Sequence, residues 1–231
     1  MKSEFKQTLK NAYLKEFFLR VKNEIEDSND QPQEVLTKIY TDILYDNGTI
    51  SDYELVFFER EISKSNIKIN GYSFSEEDLR LDLFITHYDP SEKIQEIKSN
   101  KVQELIQTAK DFYFQSTKKL YEKINKKEDA YDISKTIFKN QKDISTVRII
   151  VLTNCECEKT PSMQREGKIE FQNFLFDNKR IFSSSLGGAN STNIRIDFTK
   201  FREKVRCMLA HKSSDKISSY MAFIPGDVLF N

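Results

Sequence analysis

The sequence predicts an α/β (or α+β) domain, a mixed sheet with helices packed against it. Three observations carry this. Residues 3–27 and 32–46 place apolar side chains at helical spacing. Residues 53–88 read as three strands in succession. Residues 147–153, Val-Arg-Ile-Ile-Val-Leu-Thr, form a short and almost wholly apolar run, as a strand covered on both faces requires. Helices before, between and after these strands pack most simply against the faces of one sheet.

In order along the chain, Phe5, Leu9, Tyr13, Phe17, Val21 and Ile25 form an i, i+4 row, with Lys and Glu opposite. Ser28-Asn29-Asp30 breaks that helix. Pro32 suits the first turn of a second, capped by Asp30 or Gln31. Its buried stripe is Val35, Leu36, Ile39, Tyr40, Ile43 and Leu44, and Gly48 can take a left-handed cap. Strands follow over 53–61, 67–75 and 79–88, with a turn at Glu76-Glu77-Asp78 and a stop at Asp89-Pro90-Ser91. Residues 92–126 carry a long helical pattern and 129–139 a shorter one. After the strand at 147–153 come a loop at 154–167, a strand at 169–176 and a short helix at 177–186. Leu186-Gly-Gly-Ala-Asn190 is a turn. Three β-rich stretches, 191–198, 204–211 and 217–224, precede a helical onset at 225–231. The expected organisation is a helical segment over 1–50, an α/β core over 51–165 and a β-rich extension over 166–231. That extension leads toward a C-terminal region of a longer protein.

Composition narrows the function classes. The 231 residues hold 36 Lys+Arg and 36 Asp+Glu, so global charge gives no pull toward nucleic acid or membrane. No run of 18 apolar residues exists to span a bilayer. The opening Met-Lys-Ser-Glu-Phe-Lys-Gln lacks the apolar core of a signal peptide, so a cytoplasmic protein is expected. Three cysteines, Cys155, Cys157 and Cys207, are too few for a disulfide framework. Cys155-Glu-Cys157 is not a CxxC pair, and His87 and His211 are distant in sequence. Free loop thiols are the simpler reading than zinc. Gly187-Gly188 lacks the Lys-Ser/Thr of a P-loop.

Several segments taken together resemble the N-terminal part of the abortive phage infection protein family (AIPR). They are Asn70-Gly71-Tyr72, the acidic turn Glu76-Glu77-Asp78, and Leu83-Phe84-Ile85-Thr86-His87-Tyr88. Val151-Leu152-Thr153-Asn154, Phe174-Leu175-Phe176-Asp177 and Pro225-Gly226-Asp227 follow in the same order and spacing. The resemblance implies a restriction-endonuclease-like core and a role in bacterial defence against phage. It also implies a hairpin carrying the acids and lysine of a metal-dependent nuclease, with Mg²⁺ or Mn²⁺ as cofactor. Here the chain departs from the pattern. The family's hairpin Asp falls on Asn70, and its Gln-x-Lys falls on Ile85-Thr86-His87.

That chemistry needs carboxylates to hold the metal beside the phosphate and a Lys to activate water. Asn70 offers a neutral oxygen, Ile85 offers nothing, and His87 can donate a hydrogen bond or act as a base. Two readings follow. In one the nuclease-like domain is catalytically degenerate and serves recognition, regulation or assembly. In the other a rearranged site gathers Glu59, Glu61, Asp82 and Asn70, with Asp82 and Glu61 as metal ligands. Strict alternation points Asp82 away from Ile85, so the second reading needs a bulge. The plainer alternative leaves Asp82 paired with a Lys or Arg.

Lys118, Lys119, Lys123, Lys126 and Lys127 cluster at the end of the long helical pattern. Positions 119, 123 and 126/127 would share one helical face. Phosphate contact is one reading and a solvated helix end the other. The expected partners are the remainder of the same protein, nucleic acid, and a second copy of the chain; no membrane is expected.

Overall fold

The computed structural model describes residues 2–62, 65–75, 77–91, 93–157, 164–166, 169–185, 207–214 and 217–222. Helices α1 (Lys2–Asp27) and α2 (Pro32–Asp46) lead into a three-strand meander. Its strands are β1 (Glu54–Ile62), β2 (Ser65–Ser75) and β3 (Arg80–His87). Helices α3 (Ser99–Thr117) and α4 (Ala130–Asn140) cross to β4 (Thr146–Thr153). Then come β5 (Gln164–Glu166), β6 (Ile169–Phe176) and α5 (Asn178–Ser185). One six-stranded sheet results, in the order β1-β2-β3-β4-β6-β5. The β1–β2 and β2–β3 pairs are antiparallel, β3–β4 and β4–β6 are parallel, and β5 closes the far edge antiparallel to β6. The α/β class read from the sequence is the class observed.

The sheet is apolar on both faces in its middle, where β4 runs Ile149-Ile150-Val151-Leu152. Leu81, Leu83, Ile85, Val147, Ile149 and Val151 face one core with α3 and α4. Phe84, Ile150 and Leu152 face a second core with α1, α2 and α5. Aromatic contacts pin both layers: Phe58 meets Phe112 at 6.0 Å on the first face, and Phe17 meets Phe182 at 5.6 Å on the second. Pro32 stands in the first turn of α2, after Gln31, and Gly48 takes φ +73° just past its end. The chain divides at Asn190–Ser191 into two compact units. In the second, β7 (Cys207–Ser214) and β8 (Ile217–Ala222) form an antiparallel pair.

Some elements differ from expectation, each for a local reason. The helical pattern over 92–126 forms a helix only over Ser99–Thr117. At its start, Gln95–Ile97 are bonded to Glu156 beside β4 instead. At its end, the Ser116 and Thr117 hydroxyls bond back to the Phe112 and Phe114 carbonyls. Lys119 then turns left-handed, φ +64°, into a 3₁₀ turn over Leu120–Glu122. The loop at 154–167 contains the short strand β5, paired with β6. Cys155 and Cys157 form no disulfide, and they are buried in the first core rather than exposed. The stretches at 191–198 and 225–231 lie outside the described residues.

Candidate functional site

β2 and β3 form a fork. Their ladder runs from Ser75↔Arg80 to Gly71↔Phe84 and stops there. Beyond it, residues 65–69 of β2 pair with β1 alone, and residues 85–87 of β3 pair with β4 alone. Two features of the sequence open the fork. The β1 register slips between Leu55 and Phe58, so that Val56 and Phe57 both stand against Asn70. Gly71 also brings its backbone against β1: a Cβ there would sit 2.7 Å from the Glu54 carbonyl oxygen. The apolar positions of β2 accordingly change phase, from Ile67 and Ile69 to Tyr72 and Phe74. Asn70, buried in the gap, replaces the missing ladder bond. Its Oδ1 accepts the Thr86 backbone N–H at 2.8 Å.

The fork opens into a cleft of about 500 Å³, bounded by the start of α2 and by α3. Gln33, in the first turn of α2, spans it. Its Nε2 donates to the Thr86 carbonyl, and its Oε1 accepts from Lys68 Nζ at 3.4 Å. Thr37 Oγ1 lies 2.7 Å from Thr86 Oγ1, a second tie between α2 and β3. Lys68 stands directly across the β1–β2 ladder from Glu59, and Nζ is 2.7 Å from Glu59 Oε2. Asn66 Nδ2 donates to the other Glu59 oxygen at 3.2 Å. The Lys68 hydrogen bond holds the Glu59 carboxyl below its ordinary pKa, with Asn66 adding to it. On α3, Lys101 Nζ bonds Glu104 Oε1 at 2.7 Å. The His87 imidazole is half-buried in the same cleft. Burial lowers its pKa from the ordinary 6.5, and Lys101 lowers it further, which favours the neutral form.

The candidate residues therefore separate. Glu59, Asn70 and His87 line the cleft together; Asp82 and Glu61 do not line it. Glu61 is exposed on β1. Asp82 faces the other way along β3, as alternation requires, and is fully buried. Arg148, its direct partner on β4, holds both its oxygens, through Nε at 2.6 Å and through Nη2. Arg80 Nε adds an ion pair at 3.4 Å without hydrogen-bond geometry. The lysines of the basic cluster do not share a helical face, because α3 ends before them. Lys119 pairs with Glu122 at 3.1 Å and lies over the Phe138 ring, whereas Lys123, Lys126 and Lys127 are exposed. His211 lies within β7, opposite Ser219.

Sequence reasoning missed Lys68, Gln33, Lys101 and Glu104. The β1–β2 register is the signal that finds the first, since it sets Lys68 opposite Glu59.

The donor set does not fit Mg²⁺ or Mn²⁺. Such an ion takes hard oxygens, with carboxylates supplying the charge. Here the Glu59 oxygens are bonded to Lys68 and Asn66, and the Asn70 oxygen is bonded to Thr86. Among the described residues no three of His, Cys, Asp and Glu stand close enough to share an ion. Nor does the cleft offer uncompensated positive charge: Lys68 and Lys101 are each paired with a carboxylate, and Glu34 also lines it. No described helix is long and apolar enough to cross a membrane.

Two residues that carried the resemblance, Asn154 and Asp177, tie loops together. Asn154 ties the loop after β4 to the loop after β3, accepting Asp89 N–H at 2.8 Å and donating to the Asp89 carbonyl at 2.7 Å. Asp177 caps α5 through Arg180 N–H and accepts Cys157 N–H, so it fixes the loop after β4 as well. These bonds gather the C-terminal ends of the parallel strands. No curated protein and no solved structure matches the chain. Residues 36–183, from within α2 to within α5, match the family model of the abortive infection phage resistance protein N-terminal domain. The chain belongs to that family and carries its N-terminal domain, a module of abortive-infection phage resistance.

Proposed function

We propose that this phage-resistance module is built on a restriction-endonuclease-like sheet whose hydrolytic site is degenerate, and that it serves recognition, regulation or assembly instead of cleavage. One observation carries the reading: at the β2–β3 fork every candidate metal oxygen from Glu59 and Asn70 already has a partner within the chain. The meander followed by helices and a parallel strand supports the nuclease-like ancestry of the sheet. His87 stands at the end of β3, where the family pattern has a Lys. Burial favours its neutral form, which offers a hydrogen-bonding group in place of a cation. Contact with nucleic acid would fall to the exposed Lys123, Lys126 and Lys127 rather than to the charge-balanced cleft. The remainder of a longer protein and a second copy of the chain are the other proposed partners.

The alternative is a Mg²⁺-dependent nuclease with a rearranged acidic site. In this geometry it would have to run through the acids on the cleft walls, Glu34, Glu59 and Glu104, with Asp82 withdrawn into its arginine pair. Cleavage assays with Mg²⁺ and with Mn²⁺ on duplex DNA, single-stranded DNA and RNA separate the two. The degenerate reading expects no cleavage above the level of a Glu59→Gln variant. Metal-dependent cleavage that this variant abolishes would establish the alternative.

A further inference from the structure

The cleft is arranged around a cation that the chain itself supplies. Lys68 Nζ stands 2.7 Å from a Glu59 oxygen and 3.4 Å from the Gln33 amide oxygen. These are hard oxygen donors, of the kind a divalent ion takes. The ammonium is not a free surface group: the Lys68 side chain is only 17 % exposed. Gln33 is held in place by its bond to the Thr86 carbonyl, so its oxygen is already turned toward Lys68. The carboxylate is the direct cross-strand neighbour, so this geometry follows from the β1–β2 register.

We propose that the Lys68 ammonium is the resident cation of this cleft, holding the oxygen donors that a divalent metal would otherwise take. The proposal rests on the non-hydrolytic reading above and gives it a cause. A divalent ion would have to part Lys68 from Glu59 and then sit beside the displaced ammonium, against like-charge repulsion. The site excludes metal because a lysine fills it. It follows that exchanging Lys68 for a carboxylate turns the cleft into a metal site, with two carboxylates directly opposed across the ladder and the Gln33 oxygen beside them.

The test is a Mn²⁺ titration by calorimetry on the whole chain, with folding of each variant checked by its melting curve. The wild type is expected to show no saturable binding up to millimolar Mn²⁺. Lys68→Asp is expected to gain one saturable site, at least about tenfold tighter than any wild-type binding. Adding Glu59→Gln to Lys68→Asp is expected to remove it. Saturable wild-type binding that Glu59→Gln abolishes would overturn the proposal, because metal and lysine would then share the cleft. So would a folded Lys68→Asp that binds no better than wild type. If Lys68→Asp does not fold, Lys68→Met carries the test, since it frees Glu59 and Gln33 without adding charge. A smaller gain, again removed by Glu59→Gln, supports the proposal, and binding equal to wild type overturns it. A cleavage assay on the same samples separates the two readings. Metal-dependent cleavage by the wild type sinks the non-hydrolytic reading, whereas no cleavage and no gained site sinks the lysine proposal alone.

Discussion

Two strand pairs of the sheet, β3–β4 and β1–β2, hold a carboxylate against a cation in opposite ways. At the start of β3, Asp82 is 1 % exposed and gripped by Arg148 through two bonds, with Arg80 beside it. Beside the fork, on β1, Glu59 is 53 % exposed and meets one lysine, Lys68 of β2. The difference is one of solvent. A buried carboxylate has lost its water and depends wholly on its guanidinium; a half-exposed one keeps water as an alternative partner. The start of β3 is therefore a structural joint between β3 and β4. The forked end is where side chains can exchange partners, and so where a site can be remade.

The sharpest break of this contrast is Asp82→Ala. It leaves Arg148 largely buried without its carboxylate, and a loss of about 3–5 kcal/mol is expected from urea unfolding. Replacing both members by apolar groups, Asp82→Leu with Arg148→Met, should recover most of that loss, because the stranded charge goes as well. An Asp82→Ala loss within about 1 kcal/mol would show that the joint behaves like a surface pair.

The contrast also explains what was legible in the sequence. Helix and strand patterns were readable because they are local: the row from Phe5 to Ile25, Pro32 at the start of α2, and the apolar run of β4 each report their own element. Alternation alone set Asp82 on the face away from Ile85, which is where it lies. The end of α3 was not readable. Leu120 and Ile124 continue the apolar spacing, yet the helix ends at Thr117 and Lys119 turns left-handed, and both apolar residues pack into the core from outside it. The cleft was half readable. Glu59, Asn70 and His87 were candidates, but Lys68 and Gln33 enter only through pairing register and through helix-to-strand packing. Both are non-local quantities that spacing does not encode.

Intermediate effects are expected at the fork itself. Gly71→Ala drives a Cβ to 2.7 Å from the Glu54 backbone oxygen and 3.0 Å from the Phe84 ring, so β1 or β3 must shift. About 1–3 kcal/mol should be lost in thermal or urea unfolding. Asn70→Leu removes the acceptor for a buried N–H, with a similar expected loss of about 1–3 kcal/mol and faster hydrogen exchange at Thr86. Asn70→Asp keeps the accepting oxygen, so it should retain the Thr86 protection that Asn70→Leu loses. Equal exchange in the two variants would mean that the fork does not depend on this bond.

The smallest effect belongs to Lys68→Met. The Glu59 pair is half in water, so the loss at neutral pH should stay below about 1 kcal/mol. Its pH dependence identifies it. The folded Glu59 carboxyl titrates below its ordinary value because Lys68 bonds to it. A lowered carboxyl contributes stability that is fully present above the unfolded pKa and disappears as pH falls through the folded one. Wild type and Lys68→Met should thus differ across neutral and mildly acidic pH, and their urea midpoints should converge once Glu59 is protonated in both. A gap that stays constant into strong acid would assign the loss to packing of the lysine stem rather than to its charge, and would remove the electrostatic half of the contrast between the β3–β4 and β1–β2 pairs.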